Sequence, residues 1–101
     1  MNSVTLTNYN TEFIIDEKDA SSIKLIKLTS LNQYSNLMLI IKDENGSTLI
    51  NRELGSFNID PIKKEILINE EIKVFKFIIV SIYKTEMNQK FTITLYFETT
   101  Q

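Results

Sequence analysis

The 101-residue sequence contains no histidine and no cysteine. Without them the common nucleophile–base pairs of enzymes cannot form, and nearly every zinc site and every disulfide bond is excluded. These absences remove most classes of enzyme. The sequence therefore predicts a non-enzymatic protein with no cofactor, no small-molecule substrate and no catalytic residue.

Glycine, arginine and excess charge of one sign are also scarce. The two glycines, Gly46 and Gly55, are too few for a loop that cradles phosphate groups. Arg52 is the single arginine and the net charge is −2, so the sequence offers no basic surface for nucleic acid. No apolar run approaches the ~18 residues of a membrane span, and residues 1–5 do not resemble a signal peptide. We expect a soluble chain that is made without a cleaved signal and contacts neither nucleic acid nor membrane.

Carboxylates are the remaining groups with catalytic or metal-binding chemistry. The acidic runs at 16–19 and 43–45 could offer oxygen ligands to calcium, but neither fits the pattern of a calcium-binding loop. A glycosidase needs two carboxyl groups that flank a cleft, one of them with a raised pKa. The spacing marks no such pair among Glu12, Asp60, Glu70, Glu71 and Glu98. We interpret these groups as solvated carboxylates and polar turns, with structural calcium as the alternative.

Residues that favour β-strands dominate the rest of the sequence. Alanine occurs once, whereas isoleucine, threonine, phenylalanine and tyrosine are abundant. Short apolar alternations recur along the chain, and the cleanest places Phe91, Ile93, Leu95 and Phe97 on one face. We predict a single all-β domain over residues 1–101. Its expected architecture is an antiparallel β-sandwich (Ig-like or jelly-roll-like) or a small barrel, with about eight short strands.

Residues 22–29 allow two interpretations. Apolar residues alternate up to Leu25 and then slip one step to Ile26, as a β-bulge at this point would produce. We interpret the segment as a bulged strand. The alternative is an amphipathic helix over 17–31 that is capped by Asp16.

The clearest local signal is a β-hairpin over residues 37–52, because an Asn-Gly pair separates two β-rich runs. Two registers are open. A two-residue turn pairs Ile41 with Ile50, whereas a type I turn that starts at Asp43 pairs Ile41 with Leu49. We favour the second register because it matches apolar residues more fully.

The run 72–83 is apolar on both alternating faces and follows a polar break at 69–71. This pattern is typical of a strand that is covered on both sides, so we predict a central strand. The aromatic content is explained mainly by the core. We expect four phenylalanines to point inward: Phe75, Phe77, Phe91 and Phe97.

Some aromatic residues and strands are candidates for contact with a partner. Tyr9, Tyr34 and Tyr96 are not explained by the core, and Tyr96 falls on the polar side of the last strand. The first and last strands carry few charges to protect them from pairing with another chain. We therefore predict self-assembly or docking through an edge, with interface residues Val4, Leu6, Thr92, Thr94, Tyr96 and Glu98. The alternative for Tyr96 is an ordinary cross-strand filler.

Three segments together resemble a known class of proteins: an early Thr-Leu-Thr-Asn-Tyr strand, a hairpin with an Asp-Glu-Asn-Gly turn, and a closing Phe-Thr-Ile-Thr-Leu-Tyr-Phe strand. In this pattern the sequence is similar to the small β-sandwich modules of tailed-phage virions, such as head-fibre, capsid-decoration and baseplate proteins. The resemblance implies a non-enzymatic virion protein, made in the host cytoplasm, that is oligomeric and binds other virion proteins or itself. It carries over no functional residue.

Two functions of other classes remain open. A small phage-encoded inhibitor of a host defence protein would also be compact, acidic and without motifs, because it acts through shape and charge complementarity. A carbohydrate-binding module would present tryptophan or tyrosine platforms to sugar rings, and tryptophan is absent.

Overall fold

A computed structural model describes residues 1–30 and 36–101, and the regular secondary structure in this part of the chain is almost entirely β-strand. Within it the strands are β1 (Asn2–Thr7), β2 (Glu12–Asp16), β3 (Ser22–Ser30), β4 (Leu37–Asp43), β5 (Thr48–Glu53), β6 (Asn58–Asp60), β7 (Glu65–Lys73), β8 (Phe77–Lys84) and β9 (Thr92–Thr100). A short 3-10 turn, Leu54–Ser56, follows β5. No helix among the described elements has the length and apolar character needed to span a membrane.

The strands form two antiparallel sheets that pack face to face. The first sheet has the order β1-β9-β3-β7-β6, and the second has the order β2-β8-β4-β5. The predicted antiparallel β-sandwich is therefore confirmed, and the two sheets are separate instead of closing into one barrel. The described ranges contain nine strands where about eight were expected.

Strict alternation along the strands places the core between the two sheets. In β9, Ile93 is 0% and Leu95 is 1% exposed, and in β4 Leu39 is 0% exposed. Phe13 of the second sheet reaches across to stack on Phe97 of the first, with ring centroids 5.8 Å apart. Each fully buried Leu, Ile or Phe stabilises the fold by about 1.5–3 kcal/mol relative to an exposed one.

The bulged strand predicted for residues 22–29 is confirmed. The register of β3 shifts between Leu25 and Lys27 against both of its neighbours, and against β9 Ile26 is the extra residue. Because the bulge resets the alternation, Ile23, Leu25 and Leu28 all reach the core and are 0% exposed. The alternative helix over 17–31 is wrong, since its described residues form a turn and then β3.

Strand β7 extends farther than the sequence predicts. The polar break expected at 69–71 lies inside the strand, which runs from Glu65 to Lys73. Asn69 adopts a left-handed φ of 52°, and two residues of β7, Ile68 and Asn69, oppose Ile26 of β3. The break is therefore absorbed as a bulge, and the ladder continues on both sides of it.

The hairpin of β4 and β5 combines features of both predicted registers. Asp43 begins the turn, since its carbonyl accepts from Gly46 N at 3.0 Å and Gly46 has a φ of 78°. The favoured register holds only next to the turn; beyond it Ile41 pairs with Ile50, so the expected pairing with Leu49 is wrong. Leu49 is bulged out and 44% exposed, which lets Ile50 pack against the core instead.

The prediction for the run 72–83 is confirmed in part. Strand β8 is central, between β2 and β4, but the run is not one strand because its first residues end β7 in the first sheet. Phe91 and Phe97 are buried as expected, at 1% and 9% exposed. Phe75 is 70% exposed and Phe77 is half-buried, so their inward placement is wrong. A two-layer sandwich buries only one side of each sheet, and no described residue covers the other side of β8.

Candidate functional site

The structure brings the predicted interface residues onto two neighbouring strands, β1 and β9. Val4 lies opposite Leu95, and Leu6 lies opposite Ile93. Leu6 is 0% exposed and Val4 packs against the core, so both side chains face inward. This corrects the expected place of Leu6 in an interface, because only the backbone of β1 is open to a partner there.

The edges of the two sheets differ in how they are protected. From Ile93 to Phe97, β9 is paired on both sides, with β1 and β3, so this part of the strand cannot extend into another chain. This corrects one part of the edge hypothesis. The edge strand β2 carries Glu12 and Asp16, β5 carries Arg52 and Glu53, and β6 has only 3 residues. β1 is an edge with no charged residue, and docking through it stays a prediction.

The outer side of the first sheet is polar. We call it the threonine face, and it is formed around Ser3, Thr5, Thr7, Thr29, Thr92, Thr94 and Tyr96. Thr5 and Thr94 lie opposite each other, and their hydroxyl groups form a hydrogen bond of 3.1 Å. Thr92 lies opposite Thr7 in the same way. Cross-strand threonines of this kind stabilise a sheet that has one side in water.

One ion pair lies on the threonine face. Lys27 Nζ lies 2.6 Å from Glu65 Oε2 and 5.2 Å from the centroid of the Tyr96 ring. The hydrogen bond to Glu65 raises the pKa of Lys27 above its ordinary value. Glu98 is exposed and lies opposite Lys24 of β3. These contacts support the interpretation of Tyr96 as a cross-strand filler.

The outer side of the second sheet is apolar at its centre and polar at its edges, where Glu12, Asp16 and Asn51 lie. We call the apolar part the isoleucine face, and its residues are Ile14, Met38, Ile40, Phe77, Ile79 and Tyr83. Ile79 lies between Ile78 and Val80, which are 1% and 0% exposed, so its own side chain points outward. Ile14 is 59% and Tyr83 is 57% exposed. Contiguous apolar patches on a soluble protein are often binding sites.

A polar group lies at the centre of the isoleucine face, but it is already satisfied. The Ser81 hydroxyl donates to the Ile40 carbonyl oxygen at 3.1 Å. Burial of this hydroxyl under a partner would therefore leave no unpaired donor. Ser81 is also the smallest side chain on the face, and a depression of about 400 Å³ opens over it between Ile40, Ile79 and Tyr83.

Charged side chains lie around the isoleucine face and have no ion-pair partner among residues 1–30 and 36–101. Glu12 and Asp16 flank Ile14 on β2, and Lys42 lies across the sheet on β4. Ile79 is opposite both Ile14 and Lys42, so the three residues form one row. Within the described part of the chain, neither Glu12 nor Lys42 makes an ion pair.

The acidic turns use their carboxylates on the backbone. Asp43 Oδ1 accepts from Asn45 N and Ser47 N, both at 2.9 Å. Asp60 Oδ1 accepts from two backbone N–H groups, and these bonds lower its pKa, the opposite of what a general acid needs. In residues 1–30 and 36–101, no three acidic side chains converge as metal ligands would.

The sequence interpretation missed the isoleucine face, although a signal for it was present. The run 72–83 is apolar on both sides, and we assigned both sides to the interior of this chain. Its outer half instead supplies Phe77, Ile79 and Tyr83 to an exposed surface. Of the tyrosines singled out, Tyr9 is 88% exposed, and Tyr34 lies outside the described residues.

The two outer faces are therefore the main surfaces of the molecule and have opposite character. The sequence matches no known family model, and no curated protein is similar enough to count as a relative. These two faces are the basis for inferring its function: one is polar, and the other carries the exposed apolar side chains of Ile14 and Tyr83.

Proposed function

We propose that this chain is a non-enzymatic structural protein of a tailed-phage virion that works by binding other proteins through its isoleucine face. The exposed apolar surface carries the proposal, since Ile14 and Tyr83 are each more than half exposed. The resemblance of the strand pattern to small virion modules supports the setting. The absence of histidine and cysteine agrees with a function that depends on protein–protein contacts instead of catalysis.

The cost of leaving this face in water supports a binding role. Apolar surface that stays exposed forgoes about 25 cal/mol of stabilisation for each Å². A partner that covers Ile14, Ile79 and Tyr83 recovers this free energy. The central Ser81 adds no penalty, because its hydroxyl is already hydrogen-bonded to Ile40.

Particle incorporation tests the proposal. We expect mass spectrometry of purified phage particles to find the chain in a defined copy number. When the gene is replaced by variants, Ile79→Lys should reduce incorporation by about tenfold or more, because a charge is placed in an apolar contact. Thr29→Lys is the matched control: Thr29 is also half-buried on a strand inside its sheet, but lies on the threonine face.

Both variants must first show the circular dichroism spectrum and melting temperature of a folded sandwich. Particles that lack the wild-type chain would refute the virion setting. Incorporation of Ile79→Lys at the wild-type level would refute the role of the isoleucine face.

A further inference from the structure

We infer that the isoleucine face binds a second copy of this chain, related by a half-turn about an axis that runs along the strands between β8 and β4. The inference rests on the proposed function and names the partner of the same face. It follows from the register of the β8–β4 ladder, the depression over Ser81, and the positions of charge around the face.

The axis follows from the arrangement of the second sheet. Its order is β2-β8-β4-β5, so the line between β8 and β4 is its centre. A half-turn about this line places β4 of the second copy over β8 of the first, and β5 over β2. Each residue of β8 then faces the copy of its ladder partner on β4, and each residue of β4 faces the copy of its partner on β8.

The register makes these facing residues complementary in size. Ser81 lies opposite Ile40 in the ladder. The half-turn therefore places Ile40 of the second copy over the depression above Ser81. Tyr83 lies opposite Met38, so the tyrosine ring of one copy covers the methionine of the other. A large side chain meets a small one at the centre, as well-packed interfaces require.

The same operation brings opposite charges together. Lys42 lies opposite Ile79, so Lys42 of the second copy lies over Ile79 of the first. Ile79 is in the same row as Ile14, and Ile14 lies between Glu12 and Asp16. The alkyl chain of Lys42 thus covers isoleucine, while its ammonium group reaches toward the carboxylates. Two-fold symmetry forms this contact twice.

The size of the face indicates a reversible dimer. Four strands about 4.8 Å apart, with about seven residues each at about 3.3 Å, give a face of roughly 19 by 23 Å. Two such faces remove on the order of 900 Å² from water, which is typical of weak and transient interfaces. We expect the dimer to dissociate on dilution.

Analytical ultracentrifugation of the full chain, from low micromolar to near-millimolar concentration, tests the dimer. We expect a monomer–dimer equilibrium whose dissociation constant rises about tenfold or more for Lys42→Glu and for Glu12→Lys alone. An equimolar mixture of these two variants should restore association, because each copy then supplies the charge that the other lacks. Ser81→Leu, which fills the depression, should weaken the dimer without changing the melting temperature of the dilute protein.

A matched control separates this contact from general attraction. Lys24→Glu and Glu71→Lys make the same changes of charge on the outer side of the first sheet, where both side chains are exposed. Neither variant alone nor their equimolar mixture should change the dissociation constant of the dimer.

Three results would overturn the dimer: a monomer at every concentration, a dimer unaffected by Lys42→Glu, or a dimer abolished by Thr5→Lys on the edge strand β1. Its failure is distinct from failure of the proposed function. A monomeric chain that still enters particles through the isoleucine face refutes only the dimer. A dimer that is absent from particles refutes only the virion role.

Discussion

The outer faces of the two sheets differ in character: the outer side of β9 is polar, whereas the outer side of β8 is mainly apolar. Both belong to antiparallel sheets whose inner sides are buried in one core, and both have a central strand with strict alternation. On β9 the outward positions are filled by Thr92, Thr94 and Tyr96. On β8 they are filled by Ile79 and Tyr83, with Ser81 between them.

The two faces also differ in how far their side chains make contacts within the chain. Polar groups at the centre of the threonine face bond within the chain: Thr5 bonds to Thr94, and Lys27 bonds to Glu65. The isoleucine face leaves apolar side chains in water and leaves Lys42 without an ion pair in the described ranges. Folding alone does not require an apolar outer face, and this is why we propose that the isoleucine face binds a partner.

The largest expected effect separates folding from binding on one strand. Ile78→Ala removes a side chain that is 1% exposed and should lower the free energy of unfolding by about 2–5 kcal/mol. Ile79→Ala, one position along and outward, should cost less than about 1 kcal/mol. Urea denaturation of dilute protein measures both. Equal losses would show that the isoleucine face contributes to the fold itself.

The next prediction exchanges the character of the two faces. Ile14→Thr together with Tyr83→Thr should reduce the binding of a dye specific for apolar surface several-fold, because these side chains form the exposed patch. Thr92→Ile together with Thr94→Ile should raise dye binding on the other face. Both pairs should change the free energy of unfolding by less than about 1 kcal/mol. Unchanged dye fluorescence in both would remove the contrast between the faces.

Much of the fold could be predicted because strand patterns are local. The alternation of Phe91 to Phe97 separates inward from outward residues on β9, and the slip at Leu25–Ile26 locates the bulge of β3. These signals need only neighbouring residues. The register beyond the hairpin turn could not be predicted in this way, because it depends on whether Leu49 or Ile50 packs against the core.

The candidate site was harder to predict because alternation does not reveal the number of layers. The outward residues of β8, such as Ile79, are as apolar as buried ones. The pattern therefore predicts that both sides of the strand are covered, but it does not say whether this chain or another one covers the outer side. The opposite error occurred at Leu6, which we placed at an interface because β1 lacks charge. An edge strand can be open along its backbone while its side chains lie in the core.

The third prediction tests whether charge on the threonine face is satisfied within the chain. The hydrogen bond to Glu65 raises the pKa of Lys27 above 10.5. The stability from this pair should therefore be present below pH 10.5 and be lost as the pH rises through the folded-state pKa. Glu65→Gln should lower the pKa of Lys27, as followed by NMR of its side chain. Glu71→Gln, also on β7, is the control and should leave the titration of Lys27 unchanged.

The smallest expected effect concerns the edge of the first sheet, where Asp60 ends β6. Two backbone N–H groups, of Ile62 and Lys63, donate to its carboxylate and lower its pKa below 3.8. The contribution of this carboxylate to stability should be present above pH 3.8 and be lost as the pH falls through the folded-state pKa.

The Asp60→Asn variant keeps an acceptor oxygen for the turn but cannot titrate, so the stability of this variant should fall less in acid. If Asp60→Asn and the wild type lose stability in parallel below pH 3.8, the turn does not depend on charge. Charge would then stabilise the first sheet at Lys27, on its outer face, but not at Asp60, on its edge.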